Sequence, residues 1–383
     1  MQKILITGGA GFIGTHITPV LLKNGYLVRI LDPLNPQVHG ALPCNLDWLG
    51  SPNVEFIRGS VNNRADVILA LTDIEHVIHL AAETGTGQSM YEIERYFHVN
   101  VQGTAVMLEA IQSGACGQRL KSLVVASSRA IYGEGAYTCE IHGTVYPSQR
   151  TRIIMECGKF EPYCPHCDGK LCLAATPESS QFSPMSIYGL TKQVQEQAVL
   201  MFARTRGING FGLRYQNVYG PGQSLKNPYT GILAVFSNLA RQNQTIEIYE
   251  DGLESRDFVY IDDVVDATVR CINFGGEFVG ALNVGSGIAT SVRTVAAEVK
   301  AYFNSNSLIN VTGAFRLGDI RHSIADITKI QRLLGFNASV SFSDGLRNFL
   351  KWASEQPVED KAAYLRSVSE LSAKGLMGQR AKQ

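Results

Sequence analysis

The sequence predicts an α/β fold, in which a doubly wound parallel sheet with helices on both faces is followed by a smaller C-terminal lobe. Three observations lead to this prediction. Apolar runs of strand length alternate with helix-length segments through roughly the first 130 residues. A glycine-rich turn follows the first of those runs directly, and from about residue 221 the pattern loosens into short elements.

The alternation sets the order of the elements. Strands are predicted at residues 3–7, 27–31, 54–57, 76–80, 122–126 and 210–215. Helices are predicted between them, at residues 12–24, 64–71, 96–113 and 186–206. The stretch 134–183 interrupts this rhythm with Cys, Pro, Gly and charged residues, and we interpret it as an insertion with its own scaffold. The tail beyond Gln356 is polar and weakly helical, so we expect it to fray or to pack late.

Composition excludes several classes of protein. The 383 residues are 45% hydrophobic, enough for a substantial core. Because 34 basic residues balance 34 acidic ones, nothing favours nucleic acid or an anionic membrane as a partner. No apolar run approaches the ~20 residues of a membrane span. The apolar part of the N-terminus is too short for a signal peptide, so we expect a cytoplasmic protein.

The glycine-rich turn reads GGAGFIG from Gly8 to Gly14, between the first strand and the first helix. Gly8 permits the tight turn, Gly11 lets the backbone approach a pyrophosphate, and Gly14 lets helix and strand pack closely. The pyrophosphate would lie on free N–H groups at the helix N-terminus. This context predicts a Rossmann-type dinucleotide site; the alternative is a glycine turn without a ligand.

Asp32 ends the second predicted strand. A carboxylate there can accept hydrogen bonds from the adenosine ribose hydroxyls and would repel a 2′-phosphate, which favours NAD over NADP. The alternative is an ordinary turn aspartate before Pro33.

Tyr188 and Lys192 are four residues apart in the helix predicted at 186–206, so their side chains share one face. A phenol titrates near ~10, whereas a general base should titrate near the working pH. Lowering the phenol pKa by ~3 units requires about 4 kcal/mol of preferential anion stabilisation. A neighbouring lysine and a positive nicotinamide can supply it. Alone, YxxxK also occurs on ordinary surface helices.

Further motifs accompany this pair: SS at 127–128, HLAA at 79–82, NVQGT at 100–104, LRYQNVYGP at 213–221 and RDFVYIDD at 256–263. Together they closely resemble the extended short-chain dehydrogenases of the NAD-dependent epimerase/dehydratase family, from residue 1 to about 352. The resemblance implies that Ser128 hydrogen-bonds the reacting sugar oxygen, Tyr188 moves its proton and Lys192 holds the nicotinamide ribose. It also implies a homodimer packed through helices that include 96–113 and 186–206.

The resemblance implies two further sets of contacts. The residues expected at NAD are Gly8, Gly11, Phe12, Ile13, Gly14, Asp32, Ser60, Val61, Leu80, Ala81, Ala82, Asn100, Tyr188 and Lys192. Those expected at a nucleotide-sugar substrate are Ser128, Asn217, Arg256 and Arg316. Arginine suits a diphosphate because its fork donates bidentately, although either arginine could instead hold a structural salt bridge.

Departures from the family pattern narrow the reaction. Ser60 stands where relatives usually carry an aspartate for the adenine, and Thr84 where several galactose epimerases carry a lysine. Arg129 and Ala130 occupy the positions of the Asp-Glu pair of sugar dehydratases, and the glutamate of decarboxylating relatives is absent. What remains is transient oxidation to a 4-keto sugar and re-reduction. A net nucleotide-sugar oxidoreductase and a non-catalytic NAD-binding module stay as alternatives.

Five of the eight cysteines fall between positions 139 and 172, which in a reducing compartment suggests metal before disulfide. A CxxH and a CxxC knuckle supply four candidate ligands: Cys139, His142, Cys164 and Cys167. Four ligands with no open position indicate a structural, ribbon-type zinc site. Cys157 and Cys172 are alternative ligands, and free thiols are the alternative to a metal site.

The insertion, between Ser128 and Tyr188, resembles the dTDP-L-rhamnose 4-epimerase group of the family. That group implies a dTDP-sugar substrate, with UDP-hexose and UDP-uronate left open. We expect the insertion to shape or cover the sugar end of the cleft. We therefore divide the chain into an NAD-binding Rossmann domain (1–206, with the Cys-rich insertion at 134–183), an interleaved, mainly sugar-nucleotide-binding lobe (207–352) and a tail (353–383).

Overall fold

The computed structural model describes residues 1–39, 46–225, 231–358 and 361–381. The strands are β1 Lys3–Thr7, β2 Leu27–Asp32, β3 Val54–Arg58, β4 His76–His79, β5 Ser122–Ser128, β6 Tyr137–Cys139, β7 Gly143–Val145, β8 Cys172–Leu173, β9 Asn209–Tyr215, β10 Asn217–Tyr219, β11 Ile246–Ile248, β12 Ser255–Tyr260, β13 Val279–Val284, β14 Ala289–Ser291, β15 Ile309–Val311, β16 Ala314–Arg316 and β17 Met377–Gln379. The helices are α1 Phe12–Lys23, α2 Pro36–His39, α3 Arg64–Leu71, α4 Thr86–Ser89, α5 Ile93–Tyr96, α6 Gly103–Gln112, α7 Arg152–Glu156, α8 Ile187–Arg206, α9 Ile232–Arg241, α10 Ile261–Ile272, α11 Val292–Tyr302, α12 Thr328–Leu334, α13 Phe342–Glu355 and α14 Lys361–Ala373. A π-helical segment, Phe97–Gln102, joins α5 to α6.

The central sheet has seven parallel strands in the order β13-β9-β5-β4-β1-β2-β3. The chain runs outward from β1 to β3, returns to β4 on the other side of β1, and continues in the opposite direction. This doubly wound order confirms the predicted fold class. The reversal between β1 and β4 creates the crevice at the carboxyl ends of the strands where such sheets bind ligands.

Both faces of the sheet are buried, which explains the continuous apolar runs. Alternate residues of β1 point to opposite faces: Ile4 and Ile6 belong to one apolar core and Leu5 to the other. Helices α1 and α10 pack together on the first face, and α3 packs against α6 on the second. The predicted strand ends are one or two residues short in several cases. In β5 the ladder with β9 continues to Ser128, opposite Tyr215.

The residues after α8 build small sheets as well as the last strands of the central one. The order β10-β12-β14 forms one three-stranded sheet, and β11 pairs with β15. Helices α9, α11 and α13 pack around them.

The Cys-rich insertion has a small sheet of its own. Its three antiparallel strands have the order β7-β6-β8 and enclose a small core of Tyr137, Cys139, Val145 and Cys164. The short helix α7 follows β7.

The tail is more ordered than its polar sequence suggests. We expected it to fray or to pack late, and its described part packs: it forms α14 and then β17, which pairs antiparallel with β16. On the helix, this order depends on Leu371, whose side chain is only 4% exposed although most of its sequence neighbours are polar. No helix among the described residues is long and apolar enough to cross a membrane.

Candidate active site

A cavity of about 500 Å³ opens at the carboxyl ends of the strands, over the crevice between β1 and β4. Apart from Asn100, every residue expected at NAD lines it, and Ser128 does so as well. The residues that the fold brings together there are Gly8, Gly11, Phe12, Ile13, Gly14, Asp32, Ser60, Val61, Leu80, Ala81, Ala82, Ser128, Tyr188 and Lys192.

The geometry of the turn requires glycine at two of its positions, Gly8 and Gly14. Gly8 has a φ of +70°, and a Cβ there would lie 2.8 Å from the backbone of Ala81. A Cβ on Gly14 would overlap the backbone of Gly9. Gly11 is the N-cap of α1 and supplies no side-chain acceptor to it. The first N–H groups of this helix are therefore suited to an anionic ligand.

Asp32 holds the turn and also lines the cavity. Its Oδ2 accepts a hydrogen bond from the N–H of Ala10 (3.1 Å) and its Oδ1 one from the N–H of Leu34 (2.8 Å). His39 Nε2 lies 3.6 Å from Oδ1. The carboxylate thus fixes the glycine turn while it lines the cavity.

Asn100 occupies a different place from the one expected. Its side chain is fully buried behind the cavity wall. Its Oδ1 accepts from the N–H of Glu83 (2.7 Å), and its Nδ2 donates to the Thr191 hydroxyl (2.9 Å). Because both ends of the amide are engaged by protein, Asn100 joins the loop after β4 to α8 and is a positioning residue.

Tyr188 and Lys192 lie one turn apart at the start of α8. The helix begins after Ser186, whose hydroxyl accepts a hydrogen bond from the N–H of Gly189 (3.1 Å). Burial raises the pKa of the Tyr188 phenol, while a hydrogen bond with Ser128 and the charge of Arg129 act to lower it. The structure therefore brings the three predicted catalytic residues together.

Gln195 is a buried residue of this site that the motifs do not reveal. Burial lowers the pKa of Lys192 to about 7, partly offset by Glu196, and the Lys192 ammonium donates to Gln195 Oε1 (2.7 Å). The other end of the amide donates to the Thr104 hydroxyl (2.9 Å) and lies 3.2 Å from His79 Nε2. Its spacing of three residues from Lys192 on one helix face is the only signal in the sequence.

A second cavity, of about 310 Å³, adjoins the first. Asn217, Arg256 and Arg316, the expected substrate contacts beyond Ser128, line it together with Tyr188. Tyr188 lines both cavities, so this residue lies where they meet.

The arginines of the second cavity are held differently. Arg256 donates to the carbonyls of Ile320 (2.8 Å) and Arg321 (3.0 Å), with Asp319 3.6 Å away. The Arg316 guanidinium lies 4.9 Å from the centre of the Tyr249 ring. Arg129, which the sequence raised only as a departure from dehydratases, lines the cavity as well.

The four expected metal ligands converge in the insertion. The ligand atoms of Cys139, His142, Cys164 and Cys167 all lie within 4.8 Å of one another. His142 Nδ1 is 3.6 Å from Cys139 Sγ and 3.5 Å from Cys164 Sγ, and the sulfurs of Cys139 and Cys167 are 3.8 Å apart. Tetrahedral zinc, with bonds of ~2.3 Å to sulfur and ~2.0 Å to nitrogen, requires separations of about 3.8 and about 3.5 Å.

The alternative ligands and the expected position of the insertion are not supported. Cys157 and Cys172 are exposed and lie outside this cluster. Among the described residues, those lining the second cavity include none from 134–183. The insertion packs elsewhere, because its Met155 and Phe160 bury Phe315 of β16.

Comparisons with known proteins agree with this geometry. The model of the NAD-dependent epimerase/dehydratase family matches residues 4–151 and 169–285, and the gap between them falls within the insertion. The chain is 38% identical to the dTDP-L-rhamnose 4-epimerase of Burkholderia thailandensis, over 93% of this chain and 96% of the relative. The structure of Thermotoga maritima UDP-glucose 4-epimerase with UDP-glucose matches with a TM-score of 0.73 and 29% identity, covering 92% of this chain and 99% of that one. That of the Bacillus cereus UDP-glucuronic acid 4-epimerase with UDP-glucuronic acid and NAD matches with a TM-score of 0.76 and 26% identity, covering the same shares.

Proposed function

The chain belongs to the NAD-dependent epimerase/dehydratase family, and on that premise we propose that it is a nucleotide-sugar 4-epimerase that interconverts dTDP-L-rhamnose and dTDP-6-deoxy-L-talose. NAD is its cofactor. The observation that carries the proposal is the position of Tyr188, which lines both the cavity proposed for the cofactor and the adjoining one. A residue there can move a proton at a sugar carbon that faces the nicotinamide.

Tyr188 and the residues around it have different roles in proton transfer. Ser128 hydrogen-bonds the C4 oxygen of the sugar, and Tyr188 takes the hydroxyl proton and later returns it. Lys192 holds the nicotinamide ribose and stabilises the phenolate, while Gln195 fixes the lysine through a 2.7 Å hydrogen bond. NAD, when bound, would accept the C4 hydride and give it back. Hydride returned to the opposite face of the ring would invert C4, and no external reductant would be consumed.

The second cavity would hold the rest of the substrate. Its arginines suit a diphosphate, since guanidinium groups donate in pairs to phosphate oxygens. We assign this role to Arg316 and Arg256, with Asn217 beside them. The backbone carbonyls of Ile320 and Arg321 hold the Arg256 guanidinium in place at the cavity wall.

The dTDP-sugar is favoured over UDP-sugars by two observations. The Burkholderia thailandensis dTDP-L-rhamnose 4-epimerase is 38% identical over 93% of the chain, whereas the UDP-sugar epimerases of known structure are 29% and 26% identical. The second observation is the Cys-rich insertion, because its CxxH and CxxC pairs resemble those of the dTDP-L-rhamnose 4-epimerase group. UDP-hexose or UDP-uronate 4-epimerisation is the alternative within this reaction class, and net nucleotide-sugar oxidation is the alternative outside it.

An NMR assay with dTDP-L-rhamnose and no added cofactor tests the proposal. Purified protein should form the C4 epimer without net accumulation of NADH, because the cofactor is regenerated in every cycle. Tyr188→Phe should keep NAD and lose the reaction. Accumulation of NADH in step with sugar oxidation would identify the oxidoreductase instead. An unchanged sugar, with NAD still bound, would transfer the test to UDP-galactose and UDP-glucuronate.

We also assign a structural zinc ion to Cys139, His142, Cys164 and Cys167. The support is geometric, because three of the six separations among their ligand atoms match the edges of a zinc tetrahedron, and all six are within 4.8 Å. Hydrogen bonds, the largest from the backbone N–H of His142, lower the pKa of Cys139 to about 6, which favours the thiolate that zinc requires. Four protein ligands leave no position for a substrate.

A homodimer through α5, α6 and α8 is the last part of the proposal. Exposed apolar side chains on these helices and the segment between them support it, namely Ile93, Phe97 and Met201. Light scattering of the purified chain tests it directly.

A further inference from the structure

The C-terminal cover, which we define as α14 and β17 with the turn between them, closes one side of the second cavity. Ser367 and Leu371 of α14 are buried and line that cavity. Leu371 and Leu376 also line a narrow recess of about 20 Å³ that adjoins it. A Cβ on Gly87, in the segment after β4, would meet Leu371 at 3.5 Å. The cover therefore lies directly opposite the loop that borders Tyr188.

The cover is joined to the strand that carries a proposed substrate contact. In the β16–β17 ladder Met377 lies opposite Arg316, and the next N–H, that of Leu317, donates to the Leu376 carbonyl (2.9 Å). A Cβ on Gly378 would overlap the Phe315 ring, so a glycine is needed there for β17 to lie flat on it. Displacement of β17 would consequently disturb Arg316.

The Cys-rich insertion touches the cover and not the cavity. Arg152 of α7 donates to the carbonyls of Gly375 (2.5 Å) and Met377 (3.2 Å). Farther along, the N–H of Ala381 donates to the Glu156 carbonyl (2.9 Å). The short helix α7 of the insertion thus holds the chain at both ends of β17.

We propose that the C-terminal cover keeps the oxidised sugar in the cavity between the two half-reactions, and that the insertion influences catalysis by holding the cover in place. This inference rests on the proposed function, since only an enzyme that re-reduces its own product must retain it. Oxidation removes a hydride and a proton from C4. A keto sugar that leaves before the hydride returns leaves one reduced cofactor on the enzyme for every sugar lost, and the chain is then inactive.

Matched substitutions on α14 test the cover. Leu371→Ala removes the apolar wall, and Leu365→Ala, on the same helix at 50% exposure, is the control. With dTDP-L-rhamnose, Leu371→Ala should lower turnover by about tenfold to about a hundredfold. It should also accumulate bound NADH and release a keto sugar that borodeuteride traps, while Leu365→Ala behaves as the unmodified chain.

Arg152→Ala tests whether the insertion holds the cover in place. It should reproduce the Leu371→Ala result while the zinc content stays unchanged, and Lys159→Ala, an exposed cation of the same insertion, should not. A chain ending at Gln356 should show the largest effect. Unmodified turnover without NADH in all three variants overturns the proposal.

Calorimetry distinguishes a failure of the cover proposal from a failure of the proposed function. Leu371 lines the second cavity together with Arg316, so Leu371→Ala should weaken binding of dTDP-L-rhamnose by about tenfold and that of dTDP by less. Equal affinities of Leu371→Ala and the unmodified chain for both ligands contradict the cover. Failure of the unmodified chain to epimerise any nucleotide sugar contradicts the proposed function instead.

Discussion

The Nε–H of Arg129 donates a hydrogen bond to Asn217 Oδ1 at 2.8 Å, and this contact holds a guanidinium beside the phenol of Tyr188. Burial lowers the pKa of Arg129 to about 10, so the group is still a cation at neutral pH. Its charge acts to lower the pKa of Tyr188. The position that holds an acid in dehydratases therefore holds a second cation for the phenolate, in addition to Lys192.

Replacing Arg129 with methionine should raise the pKa of Tyr188, because the volume is kept and the charge is lost. The base form of Tyr188 exists above its pKa, so the acid limb of the pH–rate profile should move to higher pH by about 1 unit or more. The measurement is initial epimerisation rate against pH. Arg119→Met, in which an arginine with a 66% exposed side chain is replaced, should leave the limb in place. A limb that does not move in Arg129→Met contradicts the role.

The buried ammonium of Lys192 should make the stability of the cofactor-free chain depend on pH. Its folded pKa is about 7, below the ordinary 10.5, so between these values the unfolded chain binds more protons than the folded one. Stability from this group therefore rises with pH through that window, and the cost of the buried ammonium is fully present below about pH 7. Lys192→Met should stabilise the cofactor-free fold, on the order of 2–4 kcal/mol below pH 7, with the difference shrinking toward pH 10.

Urea unfolding of both chains at several pH values measures this difference. Gln195→Leu, which removes the hydrogen-bond acceptor of Lys192 and keeps the ammonium, is the matched control and should destabilise the fold instead. An Lys192→Met effect that is independent of pH would show that the ammonium is not buried in the folded chain.

Asp32→Asn should weaken NAD binding by about tenfold to about a hundredfold, since hydrogen bonds to a charged group are worth roughly 1.5–3 kcal/mol. Loss of the carboxylate should also reduce discrimination against the 2′-phosphate of NADP. Titration with both dinucleotides measures the ratio of affinities. Asp47→Asn, an exposed aspartate, is the control. An unchanged ratio would limit Asp32 to its hydrogen bonds with the glycine turn.

The zinc ligands predict a metal content of one ion per chain. Cys164→Ser with Cys167→Ser should remove it and, through the loosened insertion and cover, lower turnover. Cys157→Ser with Cys172→Ser alters two exposed cysteines of the same insertion and should keep both metal and activity. Elemental analysis and the NMR assay measure the two quantities. Full activity in a metal-free chain would show that the metal-bound insertion does not affect turnover.

Local patterns predicted the parts of the site whose residues are close in sequence. The glycine turn, the end of β2 and the Tyr188–Lys192 pair each depend on one strand end or one helical turn, so spacing alone defines their geometry. The four metal ligands converge as predicted because each pair lies on one tight turn.

The parts that sequence reasoning missed depend on contacts between distant segments. Gln195 meets His79 across 116 positions, and neither residue has a periodic signal for that contact. Leu371 is one of several apolar residues in a largely polar stretch, and the pattern does not distinguish it from the exposed Leu365, so its burial against Gly87 could not be predicted. The insertion was placed at the cleft because it lies between Ser128 and Tyr188 in sequence, but Arg152 directs it to the cover instead.

Neutralising the buried carboxylate of Glu250 should destabilise the fold strongly. It accepts hydrogen bonds from Arg150 (2.8 and 2.9 Å) and from Arg321 (2.9 Å), and all three side chains are buried. Arg150 belongs to the insertion and Arg321 to the second lobe, so this carboxylate joins the two units. Glu250→Gln leaves two buried guanidinium groups with one anion fewer and should destabilise the fold by about 3–5 kcal/mol.

The matched control for Glu250→Gln is Asp266→Asn, which breaks an exposed pair with Arg270 on one helix and should cost only about 0.3–0.5 kcal/mol. Urea unfolding of both variants measures the difference. Zinc content should stay unchanged in Glu250→Gln, because the metal ligands lie on the far turns of the insertion. A cost equal to that of Asp266→Asn would mean that water compensates the two arginines, and the network would then hold the insertion only weakly.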